Sequence, residues 1–171
     1  MKLDVCPPLQ AGHYYVLDGG FSTQLSRYVA GVDADPLWTA RSLVTRKQEV
    51  ARVHRDFLAA GARIVITCSY QVSNQLFRDE LGLSRAETRE HLGTQPSGNY
   101  MEFLNKESAT TSFMIVTAAV AAVDSVRLAW RAVEEEGGVR GHTLVAGSVG
   151  PYGACQHDGS EYTGRSRFYQ V

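Results

Sequence analysis

Residues 144–153 read Leu144-Val-Ala-Gly-Ser-Val-Gly-Pro-Tyr-Gly153, and the loop Asp158-Gly-Ser-Glu-Tyr162 follows shortly after them. The stretch begins as an apolar run and passes directly into glycine and polar residues. That order is typical of a buried strand whose carboxyl end faces a ligand in an α/β protein. It predicts a strand over residues 143–148 with a ligand-facing loop after it.

Two more segments of this kind lie earlier in the chain. Residues 14–17 form a short apolar run that ends at Asp18-Gly-Gly20, and residues 62–69 read ARIVITCS. The second run is rich in β-branched residues and lacks polar alternation, which favours a strand buried on both faces, as in a parallel sheet. Both segments are predicted to be buried strands.

Helical patterns separate the predicted strands. One covers residues 21–29, and another covers residues 45–61, where Thr45 and Gln48 have the spacing of a capping box and Gly61 can close the helix. A third begins after an irregular stretch, and its predicted apolar face consists of Val120, Val123, Val126, Trp130 and Val133. The alternation predicts an α/β fold with a parallel sheet, either part of a barrel or an open doubly wound sheet.

The bulk composition excludes several classes of protein. The 171 residues suit one domain, and a formal net charge of -1 disfavours nucleic-acid binding. The longest apolar stretch, residues 113–123, is too short to span a bilayer, which needs about 20 residues. Three widely separated cysteines and no apparent secretory signal predict a cytoplasmic protein without a disulfide framework.

The predicted strand ends carry the candidate site residues. They are Asp18-Gly19-Gly20, the segment Thr67-Cys-Ser-Tyr-Gln71, and residues 147–153. In parallel α/β folds ligands lie at the carboxyl ends of the strands. Small residues there let a ligand approach the backbone, and the carboxylate of Asp18 can hold an ammonium group.

Each candidate also has a structural interpretation. Asp18 can simply form a turn or cap a helix. Trp38, which follows Asp35-Pro, can cover the mouth of a pocket or the core, and His54 is interpreted as a partly buried packing residue.

Nucleotide and metal sites have little support in the pattern. No segment completes a P-loop or GxGxxG. Cys68 is interpreted as a small buried hydrophobe rather than a nucleophile. Cys155 and His157 are two possible ligands in one loop, whereas a closed zinc site needs about four, so no metal role is assigned to them.

Taken together, the strand ends resemble one known family. Val16-Leu-Asp-Gly-Gly20, Asp35-Pro-Leu-Trp-Thr-Ala40, Thr67-Cys-Ser-Tyr-Gln71, and residues 145–153 with Asp158-Gly-Ser-Glu-Tyr162 resemble the homocysteine S-methyltransferases, in particular the branch that uses S-methylmethionine or S-adenosylmethionine. The motifs occur in the family's order over roughly residues 14–91 and 118–164. The resemblance implies the N-terminal part of a (β/α)8 barrel, with about three parallel strands and flanking helices.

The resemblance also implies a reaction. In the family, zinc activates the homocysteine thiol as a thiolate, and a sulfonium donor passes on its methyl group to give methionine. Asp18 resembles the acid that helps bind homocysteine, and Trp38 resembles an aromatic residue near the donor. The remaining residues that the resemblance assigns to substrate binding are Gly19, Thr67, Ser69, Tyr70, Gln71, Gly147, Ser148, Glu161 and Tyr162.

Two departures from the family qualify this reading. The family's zinc cysteines, on a later strand and in a Gly-Gly-Cys-Cys motif, have no counterpart here, so the chain alone is predicted to bind no zinc and to be inactive. Residues 93–117 are predicted to be a loop or an insert foreign to the family, such as a translated intron. The chain is therefore interpreted as a single truncated homocysteine-binding domain over residues 1–171, whose open strand edges favour association.

Two alternatives remain open. One is a non-catalytic truncated isoform that binds a small amino acid or pairs with a full-length subunit. The other is an unrelated small α/β binding domain.

Overall fold

A computed structural model describes residues 14–72, 110–138, 142–151, 153–154 and 160–163, and within these it describes the backbone alone for residues 110–119, 160 and 161. The helices are α1 (Phe21–Leu25), α2 (Thr39–Thr45), α3 (Lys47–Ala59), α4 (Thr110–Glu135) and α5 (Ser160–Thr163), with a 3-10 turn at Val32–Ala34. The strands are β1 (Ile64–Ile66) and β2 (Leu144–Ala146). Ser84 and Glu87 have the spacing of a capping box and predict a short helix to about Leu92, which lies outside the described residues.

The sheet is parallel, as the sequence predicts. Ile64 of β1 lies opposite Leu144 of β2, and the register continues to Ile66 opposite Ala146. On the other side of β1, Leu17 forms an isolated parallel bridge with Ile64. Two of the three predicted strands are therefore present as strands, and the α/β class is confirmed for the described part of the chain.

The prediction of a buried strand at residues 14–17 is wrong in extent and in burial. Only Leu17 makes a bridge, and the side chains of Tyr14, Val16 and Leu17 are 83%, 44% and 52% exposed. The segment pairs with the sheet around Leu17: Val16 O accepts from Arg63 N–H at 2.8 Å and from Ile64 N–H at 3.1 Å, and Asp18 N–H donates to Ile64 O at 2.9 Å. No other described element covers its side chains, so apolar composition alone does not bury them.

The predicted capping box of the long helix is also wrong. Thr45 is the last residue of α2, and its hydroxyl donates to Arg41 O at 3.0 Å instead of capping α3. Arg46, with φ -140° and ψ 46°, breaks the helical path between α2 and α3. The prediction for the other end is confirmed, because Gly61 follows α3 in the left-handed region at φ +100°.

Helix α4 differs from the prediction in start and in orientation. It begins at Thr110, so residues 110–117 are helical, whereas residues 93–109 lie outside the described part. Val123 and Val126, predicted to face the core, are 48% and 38% exposed. Val133 is fully buried, which confirms that part of the prediction, and the rest of the buried face consists of Ala121, Ser125, Ala129 and Ala132.

Two ion pairs join α4 to α3 in this orientation. Asp124 accepts from Lys47 Nζ at 2.7 Å, and Glu135 accepts from Arg55 at 2.8 Å, so both carboxylates face α3. With the helix turned this way, the small side chains of its buried face allow close packing against the neighbouring elements. In the described part of the chain, no helix has the length and apolar character needed to cross a membrane.

The core lies between the sheet and its helices. Val65 of β1 packs with Ala129 and Val133 of α4, and Phe57 of α3 borders the same cluster. A second cluster joins Leu37, Leu43 and Val50 to Ala121 and Cys68. A third holds α1 on α3 and consists of Leu25, Val32 and Val53. These clusters hold the carboxyl ends of the strands against a fixed helical layer.

His54 is a polar side chain inside this core. It is fully buried rather than partly buried, its ring centroid lies 4.9 Å from that of Phe21, and neither ring nitrogen has a hydrogen-bond partner among the described residues. Burial lowers the pKa of His54 from 6.5 to about 4, because the charged imidazolium is poorly solvated there. The core therefore contains the neutral form.

The buried His54 makes stability depend on pH. Between pH 6.5 and about 4 the unfolded chain binds a proton that the folded chain does not, so stability falls as the pH falls through this window. We expect the free energy of unfolding to fall by about 3 kcal/mol across this window, since one pKa unit corresponds to about 1.4 kcal/mol. In urea unfolding measured across this pH window, His54→Leu should be more stable than the wild type at low pH, and its free energy of unfolding should change less with pH. His142→Gln, at an exposed histidine, should keep the wild-type dependence of stability on pH. An unchanged pH dependence in His54→Leu would contradict the assignment of this effect to His54.

Candidate functional site

The carboxyl ends of β1 and β2 and the residue after Leu17 meet at one edge of the sheet. Because all three segments run parallel, Asp18, Thr67 and Gly147 follow the paired residues on the same side. Thr67 N–H continues the ladder by donating to Ala146 O at 2.9 Å. The structure therefore brings together the three strand ends that the sequence singles out.

Asp18 joins the first of these strand ends to the second. One carboxylate oxygen, Oδ2, accepts a hydrogen bond from Ile66 N–H at 2.7 Å. The other, Oδ1, is buried and has no hydrogen-bond partner among the described residues. Burial raises the pKa of Asp18 above its usual value, and the Ile66 hydrogen bond opposes that rise. The carboxylate is thus oriented by one oxygen and unsatisfied at the other.

A ring of hydrogen bonds ties the β1 end to the β2 end. Ser148 N–H donates to Thr67 Oγ1 at 2.8 Å, Ser69 Oγ donates to Ser148 O at 2.7 Å, and the two hydroxyl oxygens lie 2.8 Å apart. Each hydroxyl has one proton, and Ser69 uses its proton on Ser148, so Thr67 donates to Ser69. We call these three residues the latch.

Three residues that are predicted to bind substrate, Thr67, Ser69 and Ser148, hold the two strand-end loops together through the latch. The hydroxyl protons of Thr67 and Ser69 are both used within the protein, and Thr67 is only 2% exposed. Their direct contact with substrate stays a prediction. What the geometry establishes is that they and Ser148 fix one strand-end loop relative to the other.

Tyr70 and Gln71 continue the loop that leaves β1. A Cβ atom added at Gly150 would lie 2.1 Å from Tyr70 O, so the two loops touch backbone to backbone at this point. Gln71 is buried, and its Oε1 has no hydrogen-bond partner among the described residues. A second buried acceptor is therefore present in the loop that follows β1.

The glycines of the site differ in what surrounds them. A Cβ at Gly19 would lie 3.1 Å from the Phe57 ring, so this position is tight against α3. A Cβ at Gly147 would meet nothing within 4 Å. Gly147 is therefore open, as a ligand-facing backbone position requires, and its contact with substrate stays a prediction.

Two aromatic side chains from distant parts of the sequence stack on each other. The rings of Trp38 and Tyr162 have centroids 6.3 Å apart and planes inclined by 16°. Trp38 has φ 46°, a left-handed conformation that is unusual for a tryptophan. Glu161 lies on α5 beside Tyr162, and its side chain is outside the described residues. The structure thus brings Trp38 and Tyr162 together, and their contact with substrate stays a prediction.

The described residues do not form a metal site. No group of three or more His, Cys, Asp and Glu side chains comes together among them. Cys68 is buried, and burial raises the pKa of its thiol, which confirms the interpretation as a small core residue. Cys155 and His157 lie outside the described residues. The side chains described here therefore do not fit the zinc that the resemblance implies.

Sequence reasoning missed Gly150 and the linking role of Ser148. The signal was present in the density of small residues at 147–150, which permits the backbone contact with Tyr70. Only the pairing of β1 with β2 shows that the loop after β1, with Tyr70, lies opposite Gly150. Small residues at one strand end do not by themselves identify their neighbour.

The geometry defines a parallel α/β protein with a polar site at its strand ends. The profile of the homocysteine S-methyltransferase family matches residues 15–170, and the chain belongs to that family.

Solved and curated relatives agree with this assignment. The chain is similar to homocysteine S-methyltransferase 3 of Arabidopsis thaliana, with 38% identity over 91% of the chain and 40% of the relative. It is 37% identical to a betaine-homocysteine S-methyltransferase of Drosophila melanogaster, over 85% of the chain and 37% of the relative. The metallated form of the homocysteine methyltransferase MmuM from Escherichia coli matches with 32% identity and a TM-score of 0.59, over 91% of this chain and 44% of that one. The chain thus spans about 40% of the length of the curated relatives it matches.

The contact between Gly150 and Tyr70 predicts a selective effect of substitution. Gly150→Ala should destabilise the chain by about 2 kcal/mol or more, because its Cβ would overlap Tyr70 O and push the loops apart. Gly147→Ala, three residues away in open space, is the matched control and should unfold near the wild-type denaturant midpoint. Equal midpoints for the two variants would contradict the close approach.

Proposed function

We propose that this chain binds homocysteine at its strand ends and supplies this part of the substrate site in a homocysteine S-methyltransferase. The observation that carries the proposal is the buried Asp18 Oδ1, which has no hydrogen-bond partner among the described residues. A buried acceptor without a partner costs free energy, and a bound donor offsets that cost. The α-ammonium group of an amino acid is a donor of the right charge.

The orientation of Asp18 supports this role. Ile66 N–H holds Oδ2, so the carboxylate does not have to be ordered when substrate binds. Gln71 Oε1 is proposed as a second acceptor, because it too is buried without a partner. An ammonium group has three N–H donors and is suited to two such acceptors.

The surrounding fold is proposed to be part of a (β/α)8 barrel. The parallel pairing of Leu17, β1 and β2 supports it, and so does the similarity to MmuM. In such barrels the residues after each strand form the active site. The described residues supply no ligand set for the zinc that would activate the thiol. The use of zinc and the inactivity of the isolated chain therefore stay predictions.

The methyl donor is proposed to be a sulfonium amino acid, S-methylmethionine or S-adenosylmethionine. The stacked pair of Trp38 and Tyr162 supports a donor position beside the strand ends, since aromatic rings attract cations. The betaine-dependent relative provides an alternative onium donor, and a methyl-transfer assay with each compound separates them.

A second candidate function is binding without turnover. The buried acceptors Asp18 Oδ1 and Gln71 Oε1 support homocysteine binding in this case too, with the methyl transfer left to a longer subunit or absent. A methyl-transfer assay on the purified chain, alone and with a full-length relative, separates the two functions.

Asp18→Asn tests homocysteine binding. The change removes the charge but keeps the shape, and we expect affinity measured by calorimetry to fall roughly tenfold or more, because an ammonium–carboxylate pair contributes about 1.5–3 kcal/mol. Affinity in the wild type should also fall as the pH drops through the raised pKa of Asp18, since protonation removes the same charge.

Asp33→Asn is the matched control, because Asp33 is an exposed carboxylate that accepts from Ser22 on the surface. It should bind homocysteine like the wild type. Unchanged affinity in Asp18→Asn would refute the role of Asp18, and no binding by the wild type would refute the proposed function itself.

A further inference from the structure

A cavity of about 190 Å³ lies between residues 29–32 and the segment that forms α2. Its walls include Val29, Val32, Asp35, Trp38, Arg41 and Arg46. We call it the Trp38–Arg46 cavity. A water molecule occupies about 30 Å³ of liquid, so the space equals roughly six waters and suits a small organic molecule.

One wall of this cavity is held rigidly by Asp35. Its Oδ1 accepts from Leu37 N–H at 2.8 Å, its Oδ2 pairs with Arg41, and its backbone oxygen accepts from Trp38 N–H at 2.8 Å. These bonds hold Trp38 at φ 46°. Sparsely populated backbone conformations persist only where the surroundings determine them, and they concentrate at binding sites. The wall is therefore preformed.

The charge of the cavity is unbalanced. Asp35 neutralises Arg41, whereas Arg46 is exposed and makes no ion pair within the described part of the chain. The lining thus carries one more positive than negative side chain. Val29, Val32 and Trp38 supply apolar surface beside that charge.

We propose that the Trp38–Arg46 cavity binds a small organic carboxylate, with the carboxylate on the guanidinium of Arg46 and the apolar part against Val29, Val32 and Trp38. A planar guanidinium forms two parallel hydrogen bonds with a carboxylate, which distinguishes an acid from its neutral amide. The site does not depend on homocysteine binding at Asp18, so it stands or falls separately from the proposed function.

One side chain of the cavity wall also contacts an aromatic ring from the C-terminal part of the chain. Trp38 lines the cavity and also stacks on Tyr162, which follows the β2 loop. A ligand that contacts Trp38 therefore changes the surroundings of its indole. This makes Trp38 a direct optical reporter of binding.

The test is a fluorescence titration of the full chain. Trp38 and Trp130 are its two tryptophans, so Trp130→Phe leaves Trp38 as the reporter. Butyrate should give a saturable change, and its amide, butyramide, should give none at the same concentrations. Arg46→Gln should weaken butyrate binding roughly tenfold, or about 1.4 kcal/mol, and Arg46→Lys should restore part of the loss.

Arg63→Gln is the matched control. Arg63 is also exposed and without an ion pair within the described residues, but it precedes β1 and does not line the cavity. Its affinity for butyrate should equal that of the parent. Equal binding of acid and amide, or an Arg46→Gln variant that binds like the parent, overturns the proposal. If Trp130→Phe does not fold, calorimetry on the otherwise unsubstituted chain and its Arg46→Gln variant gives the same comparison.

Two sources of the carboxylate are distinguished by further titrations. Methionine that binds more tightly than butyrate assigns the cavity to amino acids, and weaker binding assigns it to simple carboxylic acids. Both titrations use Asp18→Asn as the background, which weakens the proposed amino-acid site at the strand ends, and both results require the loss when Arg46→Gln is added. A methionine signal that persists unchanged in Arg46→Gln overturns the carboxylate site.

Discussion

The hydrogen-bonded latch of Thr67, Ser69 and Ser148 is the interaction on which the site depends. Strand pairing ends at Ile66 and Ala146, and beyond these residues the two loops would separate without another link. The latch replaces the ladder at that point with three short hydrogen bonds. Because two of them use a backbone group of Ser148, the relative position of the loops is set by the main chain rather than by mobile side chains.

This arrangement explains why small residues are concentrated at the strand ends. Gly150 approaches the carbonyl of Tyr70 so closely that no side chain fits between them. Hydroxyls near the backbone then provide short links at low entropic cost, since Ser and Thr have few rotamers to lose. The same residue types that suggest ligand binding in the sequence therefore also serve to hold the ligand-binding surface together.

The sequence predicted the parallel α/β class and the strand ends well, and the reason is physical. The runs at 62–69 and 143–148 do contain the paired parallel strands, as β-branched residues without polar alternation predict. Burial on both faces is wrong for the described structure, because Val65 and Leu144 are buried whereas Ile64, Ile66, Val145 and Ala146 are half-buried. Helix orientation was harder to predict, because α4 offers two apolar faces. The valine pattern holds at Val133 but fails at Val123 and Val126, since the buried side of α4 carries mostly alanines, and Asp124 and Glu135 pair with α3 in this orientation. Such pairing depends on residues of α3 about 80 positions away, which local periodicity does not contain.

Asp18 shows how structural and chemical demands share one side chain. Its Oδ2 completes the end of β1 by accepting from Ile66, which ties the carboxylate to the sheet rather than to a flexible loop. If both carboxylate oxygens accepted hydrogen bonds from the protein, Asp18 would serve only to cap the end of β1. Because Oδ1 is buried and without a partner among the described residues, part of the folding free energy maintains a negative charge in a poorly solvated position. A bound cation recovers that free energy, and the rigid latch prevents the strand ends from relaxing to satisfy the oxygen in its absence.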